Sequence, residues 1–181
     1  MDNSQNNSTN NNSNNSCIFS WNCRGIKNKK PFLEKLTWDH KPLVIALQEL
    51  KLKKDQNFNT HISDYSYIDE RLETNGNAHG GVGFYIHKDI THHKITLQNP
   101  KFQAIAIHAF LHKRVTICNI YINPQQSFTQ ADLEQLTNQL QKPYILTGDF
   151  NSHHTLWYDT ITDARGSIVE DIILKNDDNA P

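Results

Sequence analysis

A chain of 181 residues is long enough to bury a substantial core, and 36% apolar and 20% charged residues are the proportions of one ordinary soluble domain. A formal net charge of −1 excludes bulk attraction to nucleic acid, so any grip on a phosphate backbone has to come from local charge. No apolar run approaches the roughly 18 residues of a membrane span. Cys17, Cys23 and Cys118 are odd in number and lack metal-ligand spacing, which suits reduced core thiols of an intracellular protein better than a disulfide framework.

Residues 1–16 are almost all Asn and Ser, and without apolar side chains to bury they are expected to form a disordered tail ahead of a single domain over 17–181. The Asn-x-Ser/Thr triplets in that tail would matter only in a secreted protein, and no signal segment precedes them. Cys17 to Cys23 is a short apolar β-prone run that ends in a turn over Asn22 to Gly25. Pro31 opens a helix carrying Phe32, Leu33, Leu36 and Trp38, and Leu43 to Glu49 is a second buried strand closing on an acid. Strand, helix, strand is the βαβ grammar, in which ligand groups collect at the carboxyl ends of the strands.

The middle of the chain reads as successive strands over Tyr65 to Asp69, Gly80 to His87, Thr91 to Leu97, Gln103 to Leu111 and Arg114 to Ile122, with turns at Asn75-Gly76-Asn77 and Leu111 to Arg114. That antiparallel meander predicts an α/β fold with a two-sheet mixed β-sandwich flanked by helices. Ser127-Phe128-Thr129-Gln130 reads as a capping box before a helix with Leu133, Leu136 and Leu140 on one stripe. Pro143 stops that helix, Tyr144 starts a strand into Asp149, and Gly166 to Lys175 forms a last helix with Ile168, Ile172 and Ile173 turned inward.

Ile145-Leu146-Thr147-Gly148-Asp149-Phe150-Asn151 is the stretch around which the chemistry gathers. In an extended backbone Asp149 and Asn151 share a face about 7 Å apart. Asn22, Glu49 and Tyr121 also fall at strand ends. Hydrolysis of a phosphodiester by water needs a hard cation, a base for the water and donors for the phosphoryl oxygens. Glu49 with Asn22 suits the metal, Asp149 the base, Asn151 a second polar anchor and Tyr121 a phenolic donor. Arg24, Lys27, Lys29 and Lys30 follow the first strand, and Lys51, Lys53 and Lys54 the second, so both basic clusters rim the acidic site, with Lys51 the first candidate for a phosphate contact.

Ser20-Trp21-Asn22-x-x-Gly25, Leu47-Gln48-Glu49-x-Lys51, Asn119-x-Tyr121-x-x-Pro124 and Gly148-Asp149-Phe150-Asn151, in that order, resemble the successive motifs of the endonuclease/exonuclease/phosphatase superfamily. The runs from Gly80 to Ile86 and from Asp149 through His153-His154 to Trp157 are most similar to the apurinic-type endonuclease domain of non-LTR retrotransposons. The resemblance implies a magnesium-dependent DNA endonuclease, with manganese as a substitute metal, in a monomer located in nucleus or cytoplasm. In that family pattern Glu49 is the metal carboxylate and Asn22 its neighbour, Asp149 orients or deprotonates water, Asn151 braces it and Tyr121 contacts the scissile phosphate. Lys51, His153 and His154 fall on the DNA-facing side, and no membrane is involved. The family continues to terminal strands and a Ser-Asp-His motif that this sequence does not contain, so the domain is expected to be truncated. Alternatives are therefore a remnant that folds or binds nucleic acid without cutting it, and a phosphomonoesterase or lipid phosphodiesterase of the same superfamily.

Overall fold

The computed structural model describes residues 17–72 and 76–177, with side chains through Lys175. The expected tail over residues 1–16 and Asn75 of the expected turn lie outside the described residues. Among the described residues eight strands and three α-helices follow one another as β1 (Ile18–Asn22), α1 (Lys30–His40), β2 (Val44–Gln48), β3 (Tyr65–Glu70), β4 (Val82–His87), β5 (His92–Ile95), β6 (Gln103–Phe110), β7 (Arg114–Tyr121), α2 (Gln130–Thr137), β8 (Tyr144–Asp149) and α3 (Ala164–Asp177).

The strands form two four-stranded sheets ordered β1-β2-β4-β3 and β5-β6-β7-β8. β1 pairs parallel to β2, as the βαβ grammar requires, and β7 pairs parallel to β8; the other pairings are antiparallel. The expected meander is real but divided, since β3 and β4 complete the first sheet while β5 to β7 build the second. The division follows from the side chains. β4 has apolar residues on both faces, with Val82, Phe84 and Ile86 turned to the other sheet and Tyr85 toward α1, so it can occupy only an interior position covered on both sides.

Three apolar layers result. Val44, Ala46, Phe84 and Ile86 of the first sheet meet Ile105, Ile107, Ala109 and Ile117 of the second. Ile45, Leu47 and Tyr85 pack outward under Leu33 of α1. Ala104, Ala106, Cys118 and Ile120 are covered by Leu133 and Leu136 of α2 and by Val169 and Ile172 of α3. Among the described residues no helix is long and apolar enough to cross a membrane.

Several local expectations shift. The α2 cap is Thr129, whose side chain accepts from the Asp132 backbone while the Asp132 side chain accepts from the Thr129 backbone, so the box lies two residues beyond Ser127. On α1 Leu33 is buried while Phe32 and Trp38 are exposed, because only a narrow stripe of that helix touches the sheet. On α3 Val169 takes the inward place expected of Ile173, which is 40% exposed.

Candidate active site

The inner faces of the sandwich turn from apolar to polar at one end. β2 continues Val44 and Ala46 with Gln48, and β7 continues Ile117 with Asn119, each one step of the two-residue period further along. Gln48 Nε2 donates to Asn119 Oδ1 at 2.7 Å and to Ser20 Oγ at 3.2 Å. Asn119 Nδ2 donates to the carbonyls of Leu47 at 2.9 Å and Gly83 at 3.0 Å. This buried amide layer satisfies its own polar groups and ties four strands of both sheets together, giving the site a rigid floor.

On that floor Asn22, Glu49, Tyr121 and Asp149 converge. Asn22 Nδ2 donates to Glu49 Oε1 at 2.9 Å and to Asp149 Oδ2 at 2.6 Å, across 127 residues of sequence. Tyr121 OH donates to Glu49 Oε1 at 3.3 Å, and Lys51 Nζ lies 3.0 Å from Glu49 Oε2. Burial pushes the Glu49 carboxyl up, but the Asn22 amide, the Lys51 ammonium and the Tyr121 hydroxyl together hold it below its ordinary value. Burial and the neighbouring Glu49 and Asp149 carboxylates push the Tyr121 phenol up to about 12, so it keeps its proton as a donor.

The backbone around these groups is strained. Arg24, Glu49, Lys51 and Asn151 all take left-handed φ values, between 46° and 53°, a conformation that costs non-glycine residues free energy and collects at functional sites. It is imposed by pairing between loops. Gly25 N–H donates to the Glu49 carbonyl at 2.7 Å, and Lys51 N–H to the Gly80 carbonyl at 2.8 Å.

Asn151 sits differently from the extended expectation. β8 ends at Asp149; the Asn151 N–H donates to Asp149 Oδ1 at 2.9 Å and its side-chain Nδ2 to the Ile122 carbonyl at 2.9 Å. Asn151 therefore fixes the Asp149 carboxylate and joins the β8 end to the β7 end. His153 Nδ1 is 2.6 Å from Asp159 Oδ2 on the wall of a cavity of about 680 Å³ that also meets Asn22, Arg24 and Asp149. His154 is buried instead, its Nε2 3.2 Å from Glu170 and its Nδ1 accepting from Leu156 N–H.

Sequence reasoning missed Arg165, the residue that holds together the loops that follow β7 and β8. Its guanidinium donates to the Phe150 carbonyl at 2.7 Å and to the Gln126 carbonyl at 2.8 Å, and stacks over Phe128 at 4.9 Å. Gly166 beside it has no room for a Cβ, which would fall 1.9 Å from the His153 carbonyl oxygen.

Comparison with known proteins finds similar sequences and a shared fold. Residues 115–180 match the endonuclease-reverse transcriptase family model. Over 153 residues, 82% of this chain, the sequence is 25% identical to the probable RNA-directed DNA polymerase from transposon BS of Drosophila melanogaster, of which it spans 17%. The endonuclease domain of TRAS1, a telomere-specific non-LTR retrotransposon, superposes with a TM-score of 0.67 at 16% identity, covering 87% of this chain and 70% of that one. The 3′ phosphatase NExo from Neisseria, solved with a product DNA hairpin, superposes with a TM-score of 0.62 at 17% identity, covering 86% and 69%. Motif order, fold and sequence relatives point the same way: the fold is that of the endonuclease/exonuclease/phosphatase structures, and the sequence is similar to retrotransposon proteins that carry an endonuclease-reverse transcriptase region.

Proposed function

We propose that this domain hydrolyses phosphodiester bonds of DNA with a divalent metal, magnesium or manganese, held by Glu49 with Asn22 beside it. The observation that carries the reading is the convergence of Asn22, Glu49, Tyr121 and Asp149 on one another. The donor set fits a hard cation, since two carboxylates reach the same amide nitrogen and such a metal takes one or two carboxylates together with water and phosphate oxygens. When bound, the metal neutralises charge developing on the phosphoryl oxygens. Asp149, fixed by the Asn151 N–H, takes the proton of the attacking water. Tyr121, protonated at neutral pH, donates to a phosphoryl oxygen. Lys51 balances Glu49 before substrate arrives and meets backbone phosphate afterwards. His153 faces the DNA from the cavity wall, while His154 acts through the loop that it holds. Structures that share the fold, the TRAS1 endonuclease domain and NExo bound to a product DNA hairpin, support nucleic acid as the substrate.

A second reading, a nucleic-acid binder that does not cut, is favoured by one feature. Among the described residues no histidine is hydrogen-bonded into the carboxylate cluster, His153 and His154 being engaged by Asp159 and Glu170. Nicking of supercoiled plasmid separates the two. The first reading expects slow, magnesium-dependent nicking that falls roughly 100-fold or more in Asp149→Ala and Glu49→Gln. Nicking indifferent to both substitutions overturns the site, and salt-sensitive DNA binding without nicking establishes the second reading.

A further inference from the structure

The outer face of the second sheet carries two histidines that the carboxylate site does not use. β5 and β6 pair in a register that sets His93 directly opposite His108, and their rings stand edge to face with centroids 5.1 Å apart. The pair lies far from the carboxylates: His108 is opposite Thr116, and the six residues from Thr116 to Tyr121 span about 17 Å of strand.

The tautomer of His108 follows from its neighbour. Thr116 Oγ1 donates its single proton to the Gln141 carbonyl at 2.6 Å, so at 3.1 Å from His108 Nδ1 it can only accept. His108 Nδ1 therefore carries the proton, and the Nε2 lone pair is free on the side away from Thr116. A ring N–H fixed by an oxygen acceptor is the outer support that metal-binding histidines characteristically have. Burial, His93 and Arg114 also hold His108 below its ordinary pKa.

We propose that His93 and His108 form a surface site for a borderline divalent transition metal, of which zinc and nickel are examples, with water completing the coordination. Directly opposed strand residues have Cβ atoms about 5 Å apart, within reach of two rings turned to share one ion bound about 2.1 Å from each nitrogen. Among the described residues no group of three or more His, Cys, Asp and Glu is placed to hold a metal, so this is a two-ligand site. Nitrogen donors select zinc or nickel over magnesium, which separates this site in chemistry as well as position from the carboxylate cluster. Arg114, a cation whose charge acts on His108, opposes binding.

The test is zinc titration of the full chain by calorimetry, repeated with nickel, in wild type and in His93→Ala, His108→Ala, Thr116→Val and, as a control among the 10 histidines, His112→Ala. Each ligand substitution is expected to weaken the tightest event at least about ten-fold. Thr116→Val keeps both ligands and loses the tautomer lock, so it is expected to weaken the event by roughly ten-fold as well, while His112→Ala leaves it unchanged. Circular dichroism first establishes that each variant folds. Retention of the wild-type event in folded His93→Ala or His108→Ala overturns the site, as does equal binding of magnesium.

Discussion

β2 and β8 each deliver a carboxylate to the same place, Glu49 immediately after β2 and Asp149 as the last residue of β8, yet they are held by opposite means. β2 is a central strand with β1 on one side and β4 on the other, and every one of its residues is buried. β8 is a sheet edge paired only with β7, and its residues are half-buried or exposed. Side chains secure the first acid. Backbone secures the second, through the parallel pairing with β7, the close approach of Gly148 to Ile120, and the Arg165 tether behind it.

The contrast can be broken most sharply at Gly148. Its φ is 136°, and a Cβ there would stand 1.9 Å from the Ile120 carbonyl oxygen. Gly148→Ala must therefore push β8 off β7, with an expected loss of about 3 kcal/mol or more in chemical denaturation. Leu47→Ala in β2 removes a fully buried side chain and is expected to cost about 3 kcal/mol. Ile145→Ala in β8, at a site 38% exposed, is expected to cost less than about 1 kcal/mol. If Ile145→Ala destabilises as much as Leu47→Ala, β8 is held by its side chains after all.

The same contrast explains what could be read from the sequence. The β1 and β2 strands were legible because short, largely apolar runs end at Asn22 and at Gln48-Glu49, and stopping points are local. Gln48 and Asn119 could have been found by counting in twos, since each shares a face with apolar residues two and four positions earlier, a polar group placed where only a paired one survives. Asn151 could not have been placed, because its left-handed backbone depends on a carbonyl 29 residues away at Ile122. Arg165 was equally hidden. Its short stretch reads as solvated, and its acceptors lie on loops up to 42 residues distant.

Arg165→Ala sharpens the comparison at the next level. The guanidinium is shared among the carbonyls of Phe150, Gln126, Pro124 and Asn123, so its removal leaves the β7 and β8 loops untied. Hydrogen bonds from a charged donor contribute about 2 kcal/mol, and here the loss is expected to be local. Amide exchange should quicken at Ile122 and Asn151, which bond to Asp149, while Leu47 keeps its protection. Uniform quickening in both sheets would mean that Arg165 supports the whole fold rather than the edge.

The smallest expected effect concerns charge at Glu49, on the rigid side of the site. Its folded pKa lies below the ordinary 4.5, so ionisation stabilises the folded state. That contribution is fully present above 4.5 and disappears as pH falls through the folded value, where the carboxyl is protonated in both states. Glu49→Gln, which cannot ionise, should therefore be less stable than wild type near pH 7, with the gap closing steadily below pH 4.5. Denaturation of both proteins at a series of pH values measures it. A gap that stays constant into strong acid would assign the cost to lost geometry at Asn22 and Tyr121. A gap that reverses near neutrality would mean that the two carboxylates around Asn22 repel more than Lys51 and the hydrogen bonds attract, leaving the site strained until a cation enters.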